Sequence, residues 1–271
     1  VARLLSPLKK PPVIYAIGLN YPDHAHNVHN GTLPTSPIVF FKNRNAASGP
    51  GEVVVPPAST NPDYEAELVL VFGKTCKDAT LENALDCVAG YTAGNDVSAR
   101  CWQAAAGENS STSSSFAVAY DRNAAHVGPS VVRGDFDKCV GNGGQWSFSK
   151  GFDTHAPMGP AFVHQDELGD GSGLGIQMHL NGKLMQNAST SDMVFPVREI
   201  VRFITTGTTV EAGTVVFTGT MGGVGDLRTP KVILQDGDNM TVSIEGIGAL
   251  HNRVSRKTGG PGRARAPPSR R

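Results

Sequence analysis

Asp63-Tyr64-Glu65-Ala66-Glu67-Leu68-Val69-Leu70-Val71-Phe72 places two glutamates at the mouth of an unbroken apolar run. A run rich in Val and Leu reads as a continuous apolar strand. Residues i and i+2 of a strand share a face, so Glu65 and Glu67 point the same way with their carboxylates a few ångströms apart. Carboxylates that close repel, and a shared proton, a basic partner or a hard divalent cation must offset the repulsion. The plainer alternative is the solvated face of an edge strand. A third acid, Asp96, follows 29 residues after Glu67 in Gly90-Tyr91-Thr92-Ala93-Gly94-Asn95-Asp96-Val97-Ser98-Ala99-Arg100. A helix expected over Leu81–Val88, after Thr80, lies between. A strand, helix, strand path brings Asp96 beside the glutamates, and three carboxylates with room for water suit Mg²⁺, Mn²⁺ or Ca²⁺.

Working outward, short β-branched runs bounded by Gly, Pro and Asn recur at Val13–Ile17, Ile38–Phe41, Glu52–Val55, Ala161–Val163, Ile176–Leu180, Val215–Thr218 and Thr241–Ile244. Asn181-Gly182 and Asp236-Gly237 read as hairpin turns. Helices are few. Val197, Ile200, Val201 and Ile204 repeat at i, i+3, i+4 and i+7, giving a core-facing helix over Val197–Thr205. Pro22 opens a short helical segment from Asp23 to Asn30. The pattern predicts a β-rich α+β chain with a few short helices.

The 271 residues carry 24 Lys+Arg against 24 Asp+Glu, but the charge is unevenly placed. Residues 253–271 hold seven basic side chains and no acid, leaving 17 bases against 24 acids in the body. An acidic body repels nucleic acid and anionic lipid over most of its surface, so a small-molecule partner is expected and neither nucleic acid nor membrane. No stretch approaches the roughly 20 apolar residues of a membrane helix, and the opening residues make too short an apolar run for a signal peptide. Cys76, Cys87, Cys101 and Cys139 show no Cys-x-x-Cys spacing. They read as reduced thiols of an intracellular protein, cytoplasmic or mitochondrial, and not as a zinc site or disulfide scaffold. The expected organisation is one domain over 1–252, an atypical Ser- and Ala-rich insertion at about 104–142, and a basic disordered tail over 253–271.

Phosphate-loop and nucleophile-elbow readings fail. Gly73-Lys74-Thr75 lacks the glycine that should stand at Leu68, and no Gly-x-Ser-x-Gly occurs. Gly219-Thr220-Met221-Gly222-Gly223-Val224-Gly225 reads as a tight turn or as backbone approaching a substrate carboxylate, with Thr220 donating a hydrogen bond. By itself Lys150, three residues before Asp153, reads as a surface lysine paired with that acid. His24, His26 and His29, at i, i+2 and i+5 of a helix, do not converge on one ion.

Taken together, five blocks resemble the fumarylacetoacetate hydrolase family, closest to its domain-containing type 2 group. They are Ile17-Gly18-Leu19-Asn20-Tyr21-x-x-His24, Asp63-Tyr64-Glu65-x-Glu67-Leu68, Gly94-Asn95-Asp96-Val97-Ser98-Ala99-Arg100, Gln145-Trp146-x-x-x-Lys150-x-Phe152-Asp153-Thr154 and Thr218-Gly219-Thr220-x-x-Gly223-Val224-Gly225. The resemblance implies a mixed β-sandwich or β-roll, a homodimer, and a Mg²⁺ or Mn²⁺ site at Glu65, Glu67 and Asp96. It implies catalytic roles for His24 as base and Lys150 as charge stabiliser, with Arg100, Gln103 and Thr220 at the substrate. The implied reaction is C–C hydrolysis of an acylpyruvate or related 2-oxo or 1,3-dicarbonyl acid through an enolate. The alternatives are oxaloacetate keto–enol tautomerisation or decarboxylation, and a catalytically silent metal binder. Asn27 stands where the family places a glutamate partner for the histidine, which weakens water activation more than metal binding.

Overall fold

The computed structural model describes residues 4–29, 32–56, 59, 61–103 and 145–256, without the side chains of 26–29. The expected insertion at 104–142 and residues 257–271 of the expected tail lie outside the described residues. In chain order the elements are β1 (Ile14–Gly18), α1 (Pro22–His29), β2 (Ile38–Lys42), β3 (Ala47–Ser48), β4 (Gly51–Val55), β5 (Pro62–Asp63), β6 (Ala66–Phe72), β7 (Val88–Asn95), β8 (Ser98–Ala99) and α2 (Arg100–Gln103). After the undescribed stretch come α3 (Trp146–Ser149), β9 (Ala156–His164), α4 (Gln165–Leu168), β10 (Gly175–Leu180), β11 (Lys183–Ser189), α5 (Val197–Thr205), β12 (Val215–Phe217), β13 (Asn239–Ile244) and β14 (Gly248–Arg256).

β6 lies in the middle of a seven-stranded sheet ordered β2-β1-β12-β6-β7-β9-β3, and a second sheet runs β11-β10-β13-β14-β4. Every residue of β6 is buried, so the edge-strand alternative does not hold. Its alternation serves two cores. Leu68, Leu70 and Phe72 pack toward the second sheet with Ile176, Met178 and Val242. Val69 and Val71 pack the other way with Ile14, Phe40 and Phe217. Each such side chain, fully withdrawn from water, contributes about 1.5–3 kcal/mol. The sheets stacked on this two-faced strand form a mixed β-sandwich, with β1–β12, β3–β9 and β14–β4 parallel and the other pairs antiparallel.

α5 has the expected bounds and buries Val197, Ile200, Val201 and Ile204. Asn181 and Gly182, both at positive φ, join β10 to β11 as the turn chemistry requires. Three expectations need correction. Leu81–Val88 is not a helix; only Ala84–Cys87 forms a 3₁₀ turn. Thr80 and Asn83 exchange side-chain to backbone hydrogen bonds, which offers the chain a local turn in place of a helical start. Asp236-Gly237 is a turn but not a hairpin, because it packs on β14 through Gly237 N–H to the Val254 carbonyl before β13 begins. Arg253–Arg256, assigned to the tail, complete β14, with Arg253 opposite Asn239 on one side and Glu52 on the other.

The cysteines also differ from expectation. Cys76 and Cys87 form a disulfide that closes the connection between β6 and β7, Cys101 is disulfide-bonded, and no described cysteine is free. Spacing alone did not reveal this pairing, because the partners meet only once the two strands pair. The bond spans 11 residues, for which loop-closure entropy gives about 3 kcal/mol. The Cys76→Ser/Cys87→Ser variant should therefore melt about 5–10 °C below the wild type in calorimetry.

Candidate active site

The register of β6 against β7 builds the centre. Ala66 lies opposite Asn95 and Glu67 opposite Gly94, so the next residues outward, Glu65 and Asp96, meet, with Asp96 N–H donating to the Glu65 carbonyl at 2.8 Å. Carboxylate oxygens of Glu65, Glu67 and Asp96 lie within 4.8 Å of one another, and all three residues are buried. The three acids expected from sequence to share a site do so.

Cations answer most of this charge. Lys150 Nζ lies 2.8 Å from both Glu65 Oε2 and Asp96 Oδ2 and donates to Ser98 Oγ at 2.6 Å. At 2% exposure it is a core lysine and not a surface partner of Asp153. Lys42 Nζ holds the other oxygen of Asp96. Arg100 reaches Glu65 at 2.6 Å and Asp63 at 2.8 Å, and its Nη1 donates to Gln103 Oε1. Burial alone would raise the Glu65 carboxyl, but Lys150 and Arg100 outweigh it and hold the group down at about 2. Glu67 differs. Among the described residues no cation pairs with it, and its one described hydrogen bond comes from the Gly219 N–H at 2.7 Å. Burial, then Asp96 and Glu65, push its carboxyl well above the usual range.

That imbalance tests the fit of a metal. Three hard oxygen donors converge in the interior, and the one without a positive partner is repelled by the other two, which is what a divalent cation would correct. The donor set fits a hard divalent ion, with Glu65, Glu67 and Asp96 to hold it.

His24 projects from α1 and is 7% exposed. Its Nδ1 has no hydrogen-bond partner among the described residues. Burial lowers its pKa to about 4, a shift that Glu65 opposes and Arg100 and Lys150 reinforce, so the imidazole is neutral at pH 7. The side chains of His26, Asn27 and His29 lie outside the described residues.

The described hydrogen bonds of the glycine loop fit the tight-turn alternative. Gly219 N–H goes to Glu67, Gly222 N–H to Asp23 at 3.0 Å, and Gly225 and Asp226 N–H to Asp63 at 2.8 and 3.0 Å. These amides grip the protein's own carboxylates. The Thr220 hydroxyl is also committed, donating to the Ala66 carbonyl at 3.0 Å and accepting from Gln186 Nε2 at 2.8 Å, so it shapes the loop instead of donating outward. Sequence reasoning missed Lys42, Gln186 and the hub role of Asp63. Lys42 had a signal: it ends Ile38-Val39-Phe40-Phe41-Lys42 on the inward face with Phe40.

The sequence model of the fumarylacetoacetate (FAA) hydrolase C-terminal family matches residues 13–255. The chain belongs to this family. Among its fumarylacetoacetate hydrolase relatives, the mitochondrial oxaloacetate tautomerase fahd2 of Xenopus laevis is 36% identical over 252 residues, covering 93% of this chain and 68% of the relative. The fumarylacetoacetate hydrolase domain-containing protein 2 homolog of Dictyostelium discoideum is 35% identical over 262 residues, covering 93% and 74%. In solved structures the fold is similar to 5-carboxymethyl-2-hydroxymuconate delta-isomerase from Mycobacterium smegmatis, with TM-score 0.70, 30% identity, and 95% and 83% of the two chains covered. Enzymes of this family thus include hydrolases, isomerases and tautomerases. No helix among the described residues is long and apolar enough to cross a membrane.

Two outcomes follow from the charges. A carboxyl whose folded pKa is raised favours the fold only at low pH, and that contribution is lost as pH rises through the folded value. Metal-free Glu67→Gln should therefore melt no lower than the metal-free wild type at pH 8, while its Mn²⁺ affinity falls about 100-fold or more in titration calorimetry. His155 is fully buried, and burial with nearby Lys42 lowers its pKa to about 3. Its neutral form stabilises the fold above the unfolded value near 6.5, and this is lost as pH falls toward 3. In denaturant titrations His155→Phe should lose less stability than the wild type between those limits.

Proposed function

We propose that the chain is a Mg²⁺- or Mn²⁺-dependent enzyme that interconverts the keto and enol forms of a small 2-oxo diacid such as oxaloacetate. The observation that carries this reading is Glu67, a buried carboxylate without a paired cation among the described residues, gathered with Glu65 and Asp96 beside the Lys150 ammonium. Glu65, Glu67 and Asp96 would hold a divalent ion, which when bound would supply Lewis-acid chemistry. Lys150 adds fixed positive charge facing the oxyanion as it develops. His24, neutral above about pH 4, carries the proton between the carbon beside the carbonyl and the 2-oxo oxygen, in either direction. Arg100 and Gln103 bind the substrate at the edge of the centre, while Thr220 holds the loop in shape. The working unit on this reading is one catalytic domain in a homodimer, intracellular, with no nucleic-acid or membrane partner. The oxaloacetate tautomerase relatives support the substrate class.

A second reading, C–C hydrolysis of an acylpyruvate, is favoured by the same neutral imidazole, which is competent to draw a proton from water. It ranks below the first because position 27 carries Asn, which cannot stabilise an imidazolium as a carboxylate does.

Ultraviolet assays with Mg²⁺ separate the readings. Enol-oxaloacetate should ketonise with metal dependence and acetylpyruvate should be cleaved slowly, with Lys150→Met lowering kcat about 10²–10³-fold on the former. Rapid acetylpyruvate cleavage with no action on oxaloacetate would replace the first reading by the second. Mn²⁺ binding without turnover of either would leave a silent metal binder.

A further inference from the structure

Asp23 lies immediately before His24, and its two carboxylate oxygens serve two different elements. Oδ1 accepts the His24 backbone N–H at 2.7 Å, inside α1. Oδ2 accepts the Gly222 N–H at 3.0 Å, in the glycine loop 199 residues away. That loop is fixed elsewhere by buried carboxylates, at Gly219 by Glu67 and at Gly225 by Asp63. The loop is thus held at both ends by buried acids, one of them a proposed metal ligand, and Asp23 ties the histidine-bearing segment to its middle.

The close approach is legible in Gly222 itself. A Cβ there would lie 2.6 Å from Asp23 Oδ2 and 3.0 Å from Asp23 Cγ, and the nearest heavy atoms it would meet all belong to the Asp23 side chain. Gly222 has no positive φ, so alanine is acceptable to the backbone, and the obstacle is the carboxylate.

We propose that Asp23 is a positioning residue: its carboxylate clamps the His24 segment to the glycine loop and so fixes the imidazole relative to Glu67 and the acid cluster. The proposal rests on the reading of His24 as the proton carrier. It requires that Asp23 act through geometry shared with Gly222, so the two positions form one unit.

The test is a double-mutant cycle on the full chain with Mg²⁺ and enol-oxaloacetate. Asp23→Ala and Gly222→Ala should each lower kcat about 10-fold, KM and Mn²⁺ affinity staying within about twofold, as expected when a proton carrier is misplaced and binding is not. The double variant should be no worse than either single one, because both remove the same contact and alanine at 222 fills the space Asp23 leaves. Asp23→Asn, with one accepting oxygen in place of two, should fall between wild type and Asp23→Ala. Losses that multiply to about 100-fold in the double variant, or wild-type kcat in Asp23→Ala, would overturn the clamp. Hydrogen exchange of the Gly222 amide decides it independently of turnover. Protection lost in Asp23→Ala supports the contact, and unchanged protection overturns it. Should the wild type act on neither substrate, the functional reading would fall while exchange still settled whether the clamp exists.

Discussion

Mutual repulsion among Glu65, Glu67 and Asp96 is the constraint to which the surrounding structure answers. Carboxylate oxygens within 4.8 Å of one another repel by about 3–4 kcal/mol per pair at an effective dielectric near 20. Lys150, Lys42 and Arg100 offset this for Glu65 and Asp96. Nothing comparable reaches Glu67 among the described residues. Counting Asp63, the centre holds four acids against three bases, and the deficit sits on one oxygen pair. A buried charge in this position either keeps a proton or acquires a cation. On the proposed reading a divalent cation held with Glu65 and Asp96 would supply the missing positive charge.

The acids cannot relieve the strain by moving apart, and the reason is packing. Glu67 is part of a strand buried on both faces between two cores, and shifting it by one residue would exchange Leu68 and Leu70 for Val69 and Val71 on each side. Asp96 is tied to Glu65 by the last backbone hydrogen bond of the β6–β7 pairing. The glycine loop then closes over this end of the sheet, its amides answering Glu67, Asp23 and Asp63 in turn. Stability of the sandwich thus holds the electrostatic conflict in place, which is how a site keeps its preorganisation.

The acid cluster was legible in sequence because strand periodicity is short range: i and i+2 share a face whatever the tertiary fold. Asp96 is expected from a strand, helix, strand path, and the family resemblance singles out all three acids; the structure brings Asp96 in by antiparallel pairing of β6 with β7 instead, whereas α5 and the Asn181-Gly182 turn follow from local pattern. What sequence could not give depended on contacts between distant segments. The Cys76–Cys87 bond depends on strand pairing, and the Asp23–Gly222 contact joins residues 199 apart. Thr220 was assigned an outward hydrogen bond because hydroxyl chemistry is visible in sequence. Its actual acceptor, the Ala66 carbonyl, is backbone that sequence does not display. A lysine ending an apolar run usually reaches solvent, whereas here the inward alternation carries Lys42 to Asp96.

If His24 is the proton carrier, as proposed, the choice between tautomerisation and hydrolysis turns on how long its ring keeps a proton. Its imidazolium is disfavoured by burial and by the Arg100 and Lys150 charges, and only Glu65 and Asp23 oppose them, which leaves the group neutral down to about pH 4. A proton taken by such a base is held at a cost and is readily given back. Keto–enol exchange asks for no more than that, since the proton leaves one atom of the substrate and returns to another within the same closed site. Hydrolysis asks the imidazolium to persist while water adds and a carbon–carbon bond breaks, and a carboxylate against the ring would lengthen that interval. Position 27, where such a group would stand in the family pattern, carries Asn. On the proposed reading the acid cluster and Lys150 would serve either reaction alike, so the lifetime of the protonated His24 ring, set by Glu65, Arg100 and Lys150, would be the physical variable that divides them.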